Sequence, residues 1–117
     1  MKASELAGFR LDWAVAKAEG EEAELHHGEV VTWKTIGYHE YRLVWRPSTD
    51  WAQGGSIIER EKINIEFDPD VPQWFASYDR GEVIWGCSGL TPLIAAMRCY
   101  VASKLDDEVE LPEEIKQ

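Results

Sequence analysis

An α+β fold is expected of this chain: an antiparallel sheet of about four to five strands with an N-terminal and a C-terminal amphipathic helix packed on it. Three observations predict it. Residues 9–19 place Phe9, Trp13 and Ala16 on one helical stripe and Leu11, Val15 and Ala18 on the adjoining one. Residues 62–87 hold three runs of strand character separated by turn residues. Thr91-Pro92 then opens a second helical pattern carrying Leu93, Ile94, Met97, Tyr100, Val101 and Leu105. A length of 117 residues fits a single domain, 1–117, with one core and an acidic tail from about residue 106.

The elements follow in order. The first helix is rich in alanine, and Gly20 suits the left-handed position just past its end. Glu24-Leu25 and Val30-Val31-Thr32-Trp33 read as short strands around a His26-His27-Gly28 turn, and Gly37-Tyr38-His39 marks a second break. Tyr41 to Trp45 reads as a strand with residues 41, 43 and 45 on one face, closed by Pro47. The segment from Pro47 to Glu59 is expected to be a long connection built on a rigid, capped turn that presents Trp51. In Lys62-Ile63-Asn64-Ile65-Glu66-Phe67 the alternation turns Ile63, Ile65 and Phe67 inward. Trp74 to Tyr78 and Glu82 to Trp85 flank Asp79-Arg80-Gly81, a hairpin turn, and the chain is expected to loosen over Gly86–Leu90. The tail has too few apolar residues for a core element of its own, although Val109 and Leu111 can pin it to the body.

Composition narrows the function classes. The formal net charge is −10, but it is unevenly spread. Glu21, Glu22, Glu24 and Glu29 stand without a base, and residues 105–117 hold six acids against Lys116. Residues 30–104 carry eight bases and nine acids and are nearly neutral. Direct nucleic-acid binding through a basic face is therefore not expected. No apolar run is long enough to span a membrane, and the N-terminus lacks the pattern of a signal peptide, so a cytoplasmic location is expected. Six tryptophans are hard to bury completely in so short a chain, which predicts that some line a groove or interface, an oligomer among the outcomes.

Constellations for chemistry are sparse. His26, His27 and His39 show no metal-ligand spacing, and Cys87 and Cys99 are too isolated to complete a set, so no metal and no cofactor is called for. Ser48, Ser56 and Ser88 sit in no nucleophile elbow, and no pair among the 22 acids stands out as a glycosidase couple. A hydrolase ranks last and no catalytic residue is assigned. Binding has better material. Ser48, Thr49 and Asp50 are capping residues, Gln53 is a further polar group, and Gly54-Gly55 lets the backbone take positive φ or approach something closely. With Trp51 as a stacking platform, and with Thr91 at a helix N-terminus, these residues form the candidate ligand site for a nucleotide-like small molecule. The structural alternative is a capped turn whose Trp51 plugs the core.

Three segments together resemble a known family. Leu11–Gly20, Pro47–Gly55 with Ile57-Ile58-Glu59, and Thr91–Tyr100 are similar to the NinX-like proteins of lambdoid bacteriophages and prophages. Ser56 stands where that pattern has proline, which relaxes the turn after Gly55. The stretch 21–46 matches nothing in the resemblance. The resemblance implies a phage or prophage accessory protein acting in the host bacterial cytoplasm, and brings no particular activity, cofactor or catalytic residue. Two functions follow as expectations: a non-catalytic binding protein that uses the Ser48–Gly55 loop for a nucleotide-like molecule or host factor, or an adaptor or inhibitor of a host protein that uses exposed tryptophans and the acidic segments.

Overall fold

In a computed structural model that describes residues 1–116, the chain forms two antiparallel three-stranded sheets joined through three helices. Helix α1 spans Gly8–Ala18, strands β1, β2 and β3 span Glu24–His26, Glu29–Ile36 and His39–Trp45, and helix α2 spans Trp51–Glu61. Strands β4, β5 and β6 span Asn64–Asp68, Gln73–Asp79 and Ile84–Gly89, followed by helix α3, Pro92–Leu105, and a short helix α4, Glu113–Lys116. The expected α+β class with terminal helices on antiparallel strands is what forms. The strands divide into two meanders, β1-β2-β3 and β4-β5-β6, where one sheet was expected. The connection from β3 to β4, between the two strand sets, is itself the helix α2.

The turns follow backbone chemistry. His27 and Gly28 both have positive φ, 52° and 80°, as a two-residue hairpin turn of the mirror-image type requires. Gly37, at φ 65°, supplies the same freedom where β2 returns into β3. Strand β6 runs on through Gly89, so the expected loosening at 86–90 is absent. Gly86 and Gly89 serve there as sites of close approach: a Cβ would stand 2.8 Å from the Phe75 ring at Gly86 and 2.7 Å from the Ala95 nitrogen at Gly89.

Helix α3 is the hub of the core, packed on β4, β5, β6, α1 and α2. Its buried residues reach beyond the expected stripe to Ala95, Ala96, Cys99 and Ala102. These small side chains let the helix be covered on several faces at once. Ile63 is buried and Ile65 half-buried, as the alternation predicts, while Phe67 lies at the open end of the sheet, edge-on to Trp74 with ring centroids 5.2 Å apart. The acidic tail is part of the fold. Val109, Leu111 and Ile115 are all in the core cluster, and the Met1 carbonyl accepts from the Val109 N–H at 2.8 Å. Its acids point to water and its few apolar groups point in.

Candidate functional site

Residues 46–55 form a compact joint that corrects the expected loop. Asp50 is an N-cap, its Oδ1 accepting from the Ala52 N–H at 2.8 Å, and what it caps is the three-turn helix α2. Gly54 and Gly55 lie inside that helix with ordinary negative φ, so they do not provide a left-handed turn. Close approach does occur at Gly54, with the chain's own backbone: a Cβ there would stand 2.2 Å from the Pro47 carbonyl oxygen and 2.7 Å from a Leu93 methyl. Ser56 is also helical, its Oγ donating to the Ala52 carbonyl at 2.7 Å. The single-turn expectation failed because two adjacent glycines lower helix propensity, and tertiary packing overrides that preference here.

Most of the polar candidates are engaged within the chain. Ser48 is buried and its N–H donates to Asp12 Oδ1 at 2.9 Å. Burial pushes the Asp12 carboxyl above its ordinary value, and the Ser48 N–H only partly offsets this. The Gln53 amide accepts from the Arg46 N–H at 2.5 Å and donates to the Val44 carbonyl at 2.9 Å. The Arg46 guanidinium meets the Glu29 carboxylate. Thr91 caps α3, its Oγ1 accepting from the Ile94 N–H at 3.1 Å. Thr49 and Trp51 remain exposed. Trp51, at 55% exposure, does not plug the core. Two clefts of about 590 and 530 Å³ are lined by other residues, chiefly Trp13, Trp33 and the 20–24 segment in one and the two termini in the other.

A larger feature lies in the stretch that matched nothing in sequence. The outer half of the β2–β3 hairpin, residues 33–43, is exposed on both faces. Register puts Ile36, His39, Tyr41 and Leu43 on one face, and Trp33 and Arg42 on the other, with Tyr38 fully exposed at the tip. The expected face of 41, 43 and 45 is real, but only Trp45 reaches the core cluster. Period-two apolar spacing marks a half-buried strand, and it cannot tell a core face from an unpartnered one.

A third cluster joins the ends of α1 and α2 to α3 and β5. Arg60 donates to both Glu19 oxygens at 2.9 and 2.7 Å and to Glu61 at 2.8 Å; Tyr100 donates to Glu19 at 2.6 Å, and Tyr78 donates to Glu61. Burial raises Glu19, but the bonds from Arg60 and Tyr100 outweigh it and the carboxyl ends below its ordinary value. Glu61 is lowered by Tyr78 and then Arg60. Every member has a partner of opposite character, which makes this a structural clamp. Among the described residues, no group of three or more His, Cys, Asp and Glu side chains is placed to hold a metal ion. Nor is any helix among them long and apolar enough to cross a membrane.

A search of curated proteins finds no match. The family described as bacteriophage P22 NinX matches residues 2–104, spanning α1 through α3 and including both the joint and the hairpin. That match takes in all three segments that carry the expected resemblance, and the chain belongs to the bacteriophage P22 NinX family.

Proposed function

We propose that this phage accessory protein is a non-catalytic protein-binding module whose contact surface is the projecting half of the β2–β3 hairpin. One observation carries the proposal: residues 33–43 expose Trp33, Ile36, Tyr38, Tyr41 and Leu43 on a two-stranded element with neither face covered. A two-stranded ribbon is marginal alone in water, and a run of exposed large apolar groups marks an interaction surface. Aromatic side chains supply contact area at low entropic cost, and the charged residues between them, Lys34, Glu40 and Arg42, supply specificity. The partner fitting this surface is a host or phage protein in the bacterial cytoplasm.

The experiment is capture of partners from phage-infected host lysate with wild type and with a Tyr38→Ser/Tyr41→Ser/Leu43→Thr variant. All three positions are exposed, so the variant keeps its fold, checked by circular dichroism, and loses the partner. Retention of every wild-type partner overturns the proposal. A second reading places a nucleotide-like ligand on Trp51, favoured by the exposure of that indole beside exposed Thr49. Trp51→Ala separates the two, because it removes a stacked ligand and leaves hairpin-dependent capture intact.

A further inference from the structure

We infer that the hairpin pairs with a second copy of this chain, β3 against β3 in antiparallel fashion, about a two-fold axis at Tyr41. The inference rests on the reading of the hairpin as the contact surface. Strand β3 is the outer strand of its sheet and pairs, among the described residues, with β2 alone. The Gln53 bonds show which backbone groups face the open edge. Its amide accepts from Arg46 N–H and donates to Val44 C=O, imitating a strand partner. Alternate residues of a strand point their backbone groups the same way, so the N–H and C=O of Arg42 and Glu40 also face outward. Gln53 thus closes the base of the edge and leaves its outer part unpaired among the described residues. An unpaired edge beside apolar side chains is a template for another strand.

Charge selects the register. Two-fold antiparallel pairing with outward groups facing each other allows an axis at residue 40, 41 or 42. An axis at Glu40 sets Glu40 against its own copy, and an axis at Arg42 does the same with arginine, both unfavourable. The Arg42 axis would also bring Glu40 onto Val44, whose carbonyl is already held by Gln53. The axis at Tyr41 sets Glu40 opposite Arg42 twice, by symmetry, with Tyr41 on Tyr41 and His39 on Leu43 across the other face. The like-for-like symmetry is that of an isologous dimer. About four ladder hydrogen bonds form, and the Ile36, Tyr41 and Leu43 faces of the two copies join into one platform. The contact is small, so association is weak and concentration-dependent.

Sedimentation equilibrium of the full chain over a concentration series tests this. Wild type is expected to shift from monomer to dimer. Arg42→Glu and Glu40→Arg each place like charges opposite one another and are expected to stay monomeric. The double exchange Glu40→Arg/Arg42→Glu restores the ion pairs and is expected to restore the dimer. A monomeric wild type at every concentration, single variants that dimerise like wild type, or a double exchange that stays monomeric each overturns the inference. If wild type is monomeric and hairpin-dependent partner capture persists, the inference fails alone and the binding reading stands.

Discussion

Two adjacent glycines in α2 are expected to respond to alanine with opposite signs. In a helix interior, replacing Gly by Ala stabilises by up to about 1 kcal/mol, because alanine restricts the unfolded chain and favours helical φ and ψ. Gly55 offers room for that gain: the nearest atom to an added Cβ is Trp51 Cε3 at 3.4 Å, an ordinary contact. Gly54 offers none. Its Cβ would lie 2.2 Å from the Pro47 carbonyl oxygen, a backbone atom fixed by a proline ring and by the Ser48–Asp12 bond beside it. Relief requires α2 to move away from β3, straining the Gln53 bonds, and overpacking of this kind costs about 1–3 kcal/mol beyond the lost propensity gain. Gly54→Ala is therefore expected to destabilise by about 2 kcal/mol net and Gly55→Ala to stabilise by about 0.5–1 kcal/mol. For a domain of this size the first lowers Tm by about 6–12 °C and the second raises it by about 2–5 °C. Paired urea and thermal unfolding, followed by circular dichroism, reads both. Equal stability of the two variants would refute the assignment of Gly54 to a close approach.

The remaining predictions concern the polar clamps and the tail. Asp12→Asn keeps an oxygen acceptor for the Ser48 N–H, whereas Asp12→Ala leaves that buried donor unpaired and costs about 1–3 kcal/mol. Because burial raises the Asp12 pKa above 3.8 in the folded state, its ionisation weakens the fold as pH rises above that value. The advantage of Asn over Asp in Tm should thus appear as pH rises from 3.8 and vanish below it. Glu19 and Glu61 shift the other way: their folded pKa values lie below 4.5, so their contribution is complete above pH 4.5 and is lost as pH falls through the folded values. Tyr78 and Tyr100 are raised above 10.0, chiefly by burial, so stability falls again as pH rises past 10. Arg60→Leu should shrink the acid-limb loss in a Tm–pH profile. Ile115→Ala should cost about 2–4 kcal/mol in urea unfolding, because that side chain is 1% exposed although it lies beyond the family match. Gln53→Ala should cost about 1–2 kcal/mol and speed amide exchange at Arg46, whose N–H loses its acceptor.

Much of the fold is legible in sequence wherever one residue type has one meaning. Gly20 after an alanine-rich stripe and Thr91-Pro92 ahead of Leu93 each point to a single local structure, and each forms as expected; the hairpin expected around Asp79-Arg80-Gly81 also forms, with its turn displaced to residues 80–83 and Asp79 paired with Ile84. The joint at 46–55 was harder, because Asp50 caps a single turn and a long helix equally well. Only the depth of packing at Gly54, fixed by Pro47 and Leu93, decides between them. Asp12 was invisible as a special residue, since a lone acid on a helix reads as solvated until its tertiary partner is known. In the tail, Val109 and Leu111 pin the chain to the body as expected, while Ile115, a single apolar residue among acids, also points inward without a sequence signal for it.

The same physics explains why the conspicuous stretch and the exposed stretch are neighbours. Trp51, Gln53 and the glycine pair have the composition of a ligand loop, yet most of the fixed geometry at 46–55 holds the base of the hairpin. Arg46 meets Glu29 across β2, Gln53 holds Val44 and Arg46, Asp12 anchors Ser48, and Gly54 admits Pro47. The Arg46–Glu29 pair ties the exit of β3 to β2, the other contacts tie β3 or its exit to a helix, and each stops short of residue 43. A hairpin that projects uncovered must be held firmly at its root, or its outer half frays and its aromatic side chains lose their fixed placement. The capped, glycine-bearing joint provides that root, and the exposed Tyr38, Tyr41 and Leu43 are what it holds in position. Perturbing Gly54 or Gln53 therefore acts on the hairpin at a distance, through the angle and rigidity of its base, while changes at Tyr41 or Arg42 act on the contact surface itself.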